Sequence, residues 1–179
     1  MTWHPVPNPE LPIAASVQVP QATRFDGGEG VWWDAGYVYF TTKGNEVVWV
    51  HDLAADTIKV LYDPAETSDP QLFGVDNVVV SRSGDLFVCE DSDNMEIHVI
   101  AADTSQVAPF LRILGQEGSE ATGPAFDPSG TRLYFSSQRA NVNGITYEVS
   151  GPFRTRDARQ PREGEVAPTV VELLGRVFT

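Results

Sequence analysis

The chain has 179 residues, enough for one domain with a substantial core and too few for two comfortable ones. Hydrophobic residues make up 41% of it, which is typical of a globular protein rather than a disordered one. Its formal net charge of −13 would repel phosphate backbones and anionic membrane surfaces, so neither nucleic acid nor a membrane is expected as a partner.

Residues 1–24 contain five prolines and are predicted to form an extended, irregular lead-in without a helix, because proline removes the amide donor and fixes φ. No stretch reaches the roughly 18 apolar residues that span a bilayer. The first residues also lack the basic-then-apolar layout of a signal peptide. The sequence alone therefore predicts neither a membrane span nor an export signal.

From residue 25 to residue 153 the chain repeats with a period of 47 residues. Glu29, Asp76 and Gly123 are separated by this interval, and each lies near the start of an apolar strand. A glycine-containing turn and an alternating β-branched and aromatic strand follow in every repeat. A third strand and an outer strand complete each repeat. The last outer strand is expected at 169–174, after a charged and proline-rich loop at 154–168.

Four short strands in a repeat of 40 to 50 residues are the signature of a β-propeller blade. An antiparallel sandwich could contain the same strands, but it does not require a constant period. The predicted fold is therefore all-β, a partial β-propeller of about three four-stranded blades. Because propellers typically close with about 4 to 8 blades, the chain is expected either to be a piece of a longer protein or to complete its ring with another chain, as in a homodimer.

Acidic residues at equivalent points of the repeats indicate a metal site. The innermost strand of each blade lines a central channel, so Glu29 and Asp76 should converge there, with Asn77 and Glu120 beside them. The sequence Gly-Glu-Gly at 28–30 also indicates a close approach of the backbone to another segment. Carboxylate and amide oxygens suit calcium. The alternative interpretation of Asp76-Asn77 is a turn pair.

A second acidic pair follows the second strand of the second repeat. Glu90 and Asp91 are adjacent and would project to opposite sides of a strand, so at most one of them faces a given site. We favour Glu90, against the alternative of a solvated loop carboxylate. Cys89 is expected to be a small buried residue. The sequence contains no established catalytic motif, so no catalytic residue is predicted.

Two histidines, His51 and His98, are also 47 residues apart. Each stands alone, without a second histidine or a cysteine at a spacing typical of metal ligands. The repeat therefore explains these two histidines better than catalysis does.

Several short motifs occur in one order along residues 1–154. They are Arg24-Phe25 with Glu29-Gly30 and Trp32, then Asp76-Asn77 with Val80-Ser81 and Gly84, then Cys89-Glu90-Asp91, then Glu120 with Gly123, Phe126, Pro128 and Gly130, and finally Gly151-Pro152-Phe153. This ordered set resembles the PhoX-like alkaline phosphatases, the DUF839 group, in the second half of those proteins.

The resemblance implies a six-bladed propeller that hydrolyses phosphate monoesters with calcium and iron in its central channel. It further implies an exported protein, periplasmic or secreted. By the resemblance Glu29 and Glu90 are metal ligands, and Asp76, Asn77 and Glu120 are further candidates. Clustered cations would stabilise charge on a phosphoryl group and lower the pKa of bound water.

Two alternatives to the phosphatase stay open. One is a calcium-dependent lactonase of the gluconolactonase type, another propeller with Glu, Asn and Asp ligands at strand mouths. The other is a non-catalytic propeller piece that binds a metal or a partner chain.

Overall fold

The computed structural model describes residues 1–91, 94–139 and 143–155. Within these ranges the chain forms one short helix, α1 (Ala15–Gln18), a 3-10 turn (Pro64–Glu66) and eleven β-strands. The strands are β1 (Gly28–Asp34), β2 (Tyr37–Thr42), β3 (Val47–Asp52), β4 (Thr57–Tyr62), β5 (Val75–Val80), β6 (Leu86–Glu90), β7 (Glu96–Ile100), β8 (Val107–Arg112), β9 (Ala121–Phe126), β10 (Arg132–Ser137) and β11 (Ile145–Ser150).

The strands form three antiparallel sheets, which we call blades 1, 2 and 3. Blade 1 contains β1–β4, blade 2 contains β5–β8 and blade 3 contains β9–β11, each in chain order across the sheet. The first strand of each blade lies at its inner edge, and β5 contacts both β1 and β9. The outer strand predicted at 169–174 and the part of the predicted loop from 156 to 168 lie outside the described residues.

Alternation of side chains builds a hydrophobic core on each side of blade 2. Residues of β6 on one face contact blade 1, and those on the other face contact blade 3. The cluster between blades 1 and 2 includes Tyr39, Val48, Tyr62, Leu72, Val78, Leu86, Val88 and Ile100. The cluster between blades 2 and 3 includes Val79, Phe87, Cys89, Met95, Ile97, Leu133 and Phe135. Burial on both faces explains why β6 is an unbroken apolar run up to its last residue.

The predicted glycine turns connect the first two strands of each blade. Gly84 donates its amide to the carbonyl of Ser81 at 2.9 Å, and Gly130 donates to the carbonyl of Asp127 at 2.8 Å. Both glycines have positive φ, 86° and 71°, a region that residues with a Cβ rarely adopt. A glycine therefore recurs in these turns because the turn requires a residue with positive φ.

The lead-in differs from the prediction because it contains the helical turn α1. The stretch between Pro12 and Pro20 has no proline, so its amides can donate, and Val19 donates to the carbonyl of Ala15 at 2.9 Å. None of the helical segments in the described part of the chain has the length and apolar character needed to cross a bilayer.

The lead-in and Phe25, the residue that follows it, contact the face of blade 1 that points away from blade 2. The ring of Phe25 lies 5.1 Å from that of Phe40 and 5.3 Å from that of Trp49, both edge to face. The terminal amine of Met1 lies 3.0 Å from a carboxylate oxygen of Asp56. Aromatic packing of this kind explains how a proline-rich segment is fixed to a sheet.

Candidate metal site at the channel mouth

One edge of the three blades collects charged side chains. At this edge β1, β5 and β9 begin and β2, β6 and β10 end, because neighbouring strands in each blade are antiparallel. We define the mouth cluster as the five charged side chains that meet there. They are Lys43, Asp76, Asp91, Glu120 and Arg139.

The three carboxylates of the mouth cluster come from two blades. One oxygen from each of Asp76, Asp91 and Glu120 lies within 4.8 Å of the others. The ammonium of Lys43, from blade 1, is hydrogen-bonded to Asp91 and lies 4.0 Å from Oδ2 of Asp76. The guanidinium of Arg139, from blade 3, lies 3.4 Å from both Asp91 and Glu120. All three blades therefore contribute to this cluster.

Glu29 lies at the same edge, at the start of β1. Its charge acts on both Asp76 and Lys43, raising the pKa of each, although in neither is it the largest effect. The predicted close approach of the backbone occurs at Gly30. A Cβ atom there would lie 2.6 Å from the carbonyl oxygen of Asp76 and 2.7 Å from the amide nitrogen of Val78. Glycine at this position thus lets β1 reach β5 and brings Glu29 to the mouth.

The side-chain oxygen of Asn77 is already used within the protein. It accepts hydrogen bonds from the hydroxyl of Thr122 at 2.8 Å and from the amide of Gly123 at 2.6 Å. The amide nitrogen of Asn77 donates to Asp76. Since an amide oxygen has two lone pairs, Asn77 joins β5 to β9 and orients Asp76, which leaves no lone pair for a cation in this arrangement.

Burial, together with the charges of Glu29, Glu120 and Asp91, raises the pKa of Asp76 to about 6 against the opposing effect of Lys43. Its residue surface is 7% exposed. A carboxylate that is hard to ionise near other carboxylates marks a site with an excess of negative charge. Such an excess is relieved by a proton or by a bound cation.

The other two carboxylates respond differently to their partners. Burial acts to raise the pKa of Asp91, but the hydrogen bond from Lys43 and the other charges around it outweigh burial, and the pKa is lowered. Burial and a hydrogen bond shared with Asp91 raise the pKa of Glu120. The hydrogen bond to Asp91 raises the pKa of Lys43. Asp91 is therefore the ionised centre of the cluster, and Asp76 and Glu120 are the groups that hold a proton more readily.

Glu90, predicted to face the channel, lies elsewhere. Its carboxylate is fully buried, accepts a hydrogen bond from the amide of Phe73 at 3.0 Å and lies 3.4 Å from Nδ1 of His98. Leu86 and Val88 on the same strand belong to the core between blades 1 and 2, and Glu90 continues that row because alternate residues share a face. Only one of the adjacent carboxylates reaches the mouth, as predicted, but it is Asp91.

Sequence reasoning therefore missed three members of the mouth cluster: Asp91, Lys43 and Arg139. The alternation of side chains along β6 could have identified Asp91, since Asp91 falls on the same face as Phe87 and Cys89, which face blade 3. Lys43 directly follows β2 as Asp91 directly follows β6, so a comparison of strand ends across the repeats would have paired these two. Arg139 lies two residues after the end of β10, one position beyond the equivalent Gln138.

Cys89 is buried, as predicted. It belongs to the core between blades 2 and 3, and burial raises the pKa of its thiol far above the ordinary value. The donors at the mouth among the described residues are thus carboxylate oxygens. This donor set fits a hard cation such as calcium, which prefers oxygen ligands.

The solved structures that are similar to this chain include a lyase and a luciferin-regenerating enzyme. Virginiamycin B lyase from Staphylococcus aureus is 21% identical, with a TM-score of 0.49, over 72% of this chain and 42% of the lyase chain. A luciferin-regenerating enzyme is 19% identical, with a TM-score of 0.53, over 72% of this chain and 46% of that chain. This chain spans less than half the length of either protein. It matches no protein-family profile and no curated protein sequence.

These findings define the class of protein. The chain forms three separate antiparallel sheets whose first strands lie side by side at the inner edge. This arrangement and the likeness to the luciferin-regenerating enzyme confirm the predicted β-propeller fold. At 19% identity this likeness concerns the fold alone.

Proposed function

We propose that the chain is part of a metal-dependent propeller hydrolase that acts on phosphate monoesters. The observation that carries this proposal is the mouth cluster, in which carboxylates and cations from three blades meet at one end of the inner strands. Carboxylates alone would indicate a cation site. The presence of lysine and arginine among them favours a substrate that is itself an anion.

The mouth carboxylates are the residues that would hold a cation. Asp76, Asp91 and Glu120 already present oxygens within 4.8 Å of one another, and Glu29 lies at the same edge. Calcium fits this set because it accepts several carboxylate ligands in flexible geometry. A bound divalent cation would neutralise charge on a phosphoryl group and lower the pKa of bound water.

The two cations of the cluster would act on the substrate. Lys43 and Arg139 approach the carboxylates from blades 1 and 3, and their side chains are 35% and 49% exposed, so a phosphate entering the mouth can reach both. A guanidinium matches the geometry of a phosphate with two parallel donors, and an ammonium supplies a compact charge. Together they would offset the repulsion between the acidic chain and an anionic substrate.

Iron and export come to this chain through the family resemblance alone. Carboxylates accept iron as well as calcium, and the buried thiol of Cys89 lies in a core rather than at the mouth. We therefore propose calcium as the first cation to test. An exported location follows from the resemblance and stays a prediction.

A calcium-dependent lactonase is the second candidate. It is favoured by the positions of Glu29 and Asp76 at the beginnings of β1 and β5, since carboxylates at strand mouths are ligands that such lactonases use. The engaged oxygen of Asn77 counts against it. A neutral lactone, however, gives no role to Lys43 and Arg139. This difference ranks the phosphatase first.

The test compares two substrates on the chelator-treated chain. With calcium added, hydrolysis of p-nitrophenyl phosphate is expected, and the variant Asp76→Asn should reduce it by about 10- to 100-fold. Glu148→Gln is the matched control, because Glu148 lies on the outer face of blade 3 with Arg132 at 3.7 Å and should leave the rate unchanged.

Each other outcome would reject the phosphatase. Calcium-dependent opening of gluconolactone without phosphate release would establish the lactonase. Calcium binding without turnover of either substrate would indicate a non-catalytic propeller piece. Activity that is indifferent to calcium and to Asp76→Asn would remove the mouth cluster from the chemistry.

A further inference from the structure

A second group of ionisable side chains lies on the face of blade 2 toward blade 1. Glu90 is the last residue of β6, Glu96 is the first of β7, and His98 lies two residues further along β7. Glu90 and His98 are 0% and 1% exposed, whereas the side chain of Glu96 is 18% exposed and marks the side nearest to solvent. A glutamate and a histidine in a hydrophobic core need a compensating partner.

The distances within this group are longer than hydrogen bonds. Nδ1 of His98 lies 3.4 Å from Oε1 of Glu90, and Nε2 lies 3.6 Å from Oε2 of Glu96. Nδ1 of His98 is fully buried and has no hydrogen-bond partner among the described residues. Hydrogen bonds between nitrogen and oxygen are about 2.7 to 3.2 Å long, so direct donation does not account for this arrangement.

The distance from Nδ1 of His98 to Oε1 of Glu90 matches the spacing of two ligands on one metal ion. One ring nitrogen of His98 and one oxygen from each glutamate lie within 4.8 Å of one another. Ligands at about 2.1 Å from a tetrahedral metal lie about 3.4 Å apart. Imidazole together with carboxylates suits zinc, manganese or iron better than calcium, which takes oxygen ligands.

Neighbouring contacts hold the group in place. The amide of Phe73 donates to Oε1 of Glu90 at 3.0 Å, and the side-chain amide of Asn94 donates to Oε2 of Glu96 at 3.0 Å. Hydrogen bonds to ligating carboxylates are typical of metal sites, where they fix the orientation of the ligands.

The geometry points to a second metal site, in which Glu90, Glu96 and His98 bind a first-row divalent transition metal between blades 1 and 2. This site is separate from the mouth cluster in its position, its donors and its preferred ion. Metal binding at this second site does not depend on the proposed hydrolase activity.

The experiment titrates the full chain with Co²⁺ in the presence of excess calcium, which occupies the hard-cation site, and follows the d–d absorption bands. One equivalent of Co²⁺ should bind, and Zn²⁺ should displace it. His98→Gln and Glu96→Gln should each weaken binding by about 10-fold or more. Because Glu96 is partly exposed, Glu96→Gln keeps the test decisive if His98→Gln fails to fold.

Two variants serve as controls. His51→Gln changes the equivalent histidine of blade 1, whose Nε2 lies 3.5 Å from Asp56 at the surface, and should leave Co²⁺ binding unchanged. Asp76→Asn, in the mouth cluster, should also leave it unchanged.

Three results would overturn the second site. They are absence of Co²⁺ binding, binding that is indifferent to both His98→Gln and Glu96→Gln, and a nuclear magnetic resonance spectrum that shows the His98 ring doubly protonated at pH 8 in the metal-free chain. The last result would mean that ion pairs between a protonated His98 and the two glutamates, and not a bound metal, hold these three side chains together.

Discussion

At the scale of single residues, the placement of carboxylates decides where a cation can bind. Asp76 is buried at the edge where three blades meet, and Asp91 reaches the same point, whereas its neighbour Glu90 lies in the core between blades 1 and 2. Two adjacent acidic residues thus lie in two different environments, because successive residues of a strand face opposite sides.

The raised pKa of Asp76 predicts a pH-dependent stability. The folded chain binds this proton more tightly than the unfolded chain, so the free energy of unfolding falls as the pH rises between 3.8 and about 6. Asp76→Asn lacks the ionisable group. In chelator it should be more stable than the original chain by about 1 to 3 kcal/mol above pH 6, with the difference fading below pH 4.

Urea denaturation at pH 4 and at pH 7.5 measures this difference. Glu148→Gln, an exposed carboxylate on blade 3, should show no such change between the two pH values. A destabilised Asp76→Asn at pH 7.5 would show that ionised Asp76 is well compensated without a bound cation.

The sequence predicted the edge at which acidic side chains gather better than it predicted which side chains gather there. The 47-residue period placed Glu29 and Asp76 at equivalent strand starts, and in the structure both lie at one edge together with Glu120. The period alone did not separate Glu90 from Asp91. The alternation of side chains along β6 does so, because Glu90 shares a face with Val88 and Asp91 shares a face with Cys89. The role of Asn77 was also hidden, since its partners Thr122 and Gly123 lie in another blade.

At the scale of secondary-structure elements, β1 and β5 are fitted to each other through a glycine. Gly30 stands against the backbone of Asp76 and Val78, and its amide donates to the hydroxyl of Thr41 at 2.8 Å. The hydroxyl of Thr41 in turn contacts the carbonyl of Asp76. This contact sets the distance between the first two inner strands and therefore the width of the mouth.

Gly30→Ala tests the contact between the two strands. The added methyl group would meet backbone atoms at 2.6 and 2.7 Å that cannot move aside as a side chain could, and a loss of about 1 to 3 kcal/mol in the free energy of unfolding is expected. Gly28→Ala is the matched control on the same strand. Nothing lies within 4 Å of a Cβ atom at Gly28, so its effect should stay within about 0.5 kcal/mol.

Equal destabilisation by the two alanine variants, measured by urea denaturation, would contradict the close approach. Calcium affinity of Gly30→Ala should fall as well, because displacement of β1 would move Glu29 away from the mouth.

Strands and turns were predictable because their signals are local. Alternating apolar residues and glycine turns occur within a few positions of one another, and the repeat multiplies the signal. The helical turn α1 was missed, since the prolines on either side dominate the composition of the lead-in although none falls between Pro12 and Pro20. The strand register is set by contacts between blades and could not be derived from a single repeat.

At the scale of the whole molecule, the two outermost faces of the described blades differ in chemistry. The face of blade 1 that points away from blade 2 carries apolar side chains, among which Val31 is 65% exposed and Trp33 is 60% exposed. The corresponding face of blade 3 carries Arg132, Tyr134 and Glu148. A ring closed by two copies head to tail would bury the ion pair of Arg132 and Glu148 against the apolar face of blade 1, at a cost in desolvation. The contrast favours a partner with an apolar face for blade 1.

Trp33→Lys tests whether the exposed face of blade 1 mediates association between copies of the chain. An apolar face of this kind predicts weak, concentration-dependent self-association, and a lysine there should reduce it because burial of the charge is costly. Sedimentation velocity over a range of protein concentrations measures the effect. Leu114→Lys is the control, since Leu114 is 76% exposed on the loop between β8 and β9. If both variants reduce self-association equally, the association is due to exposed hydrophobic residues in general and not to the face of blade 1.

The proposed function depends on cation binding by side chains that different blades bring together. Calorimetric titration with calcium tests this most directly, using the original chain beside Glu29→Gln, Asp76→Asn and Glu120→Gln, one variant for each blade. We expect one calcium site at the mouth, with each variant weakening it by about 10-fold or more. Failure of the original chain to bind calcium, or an affinity that none of the three variants alters, would contradict the account.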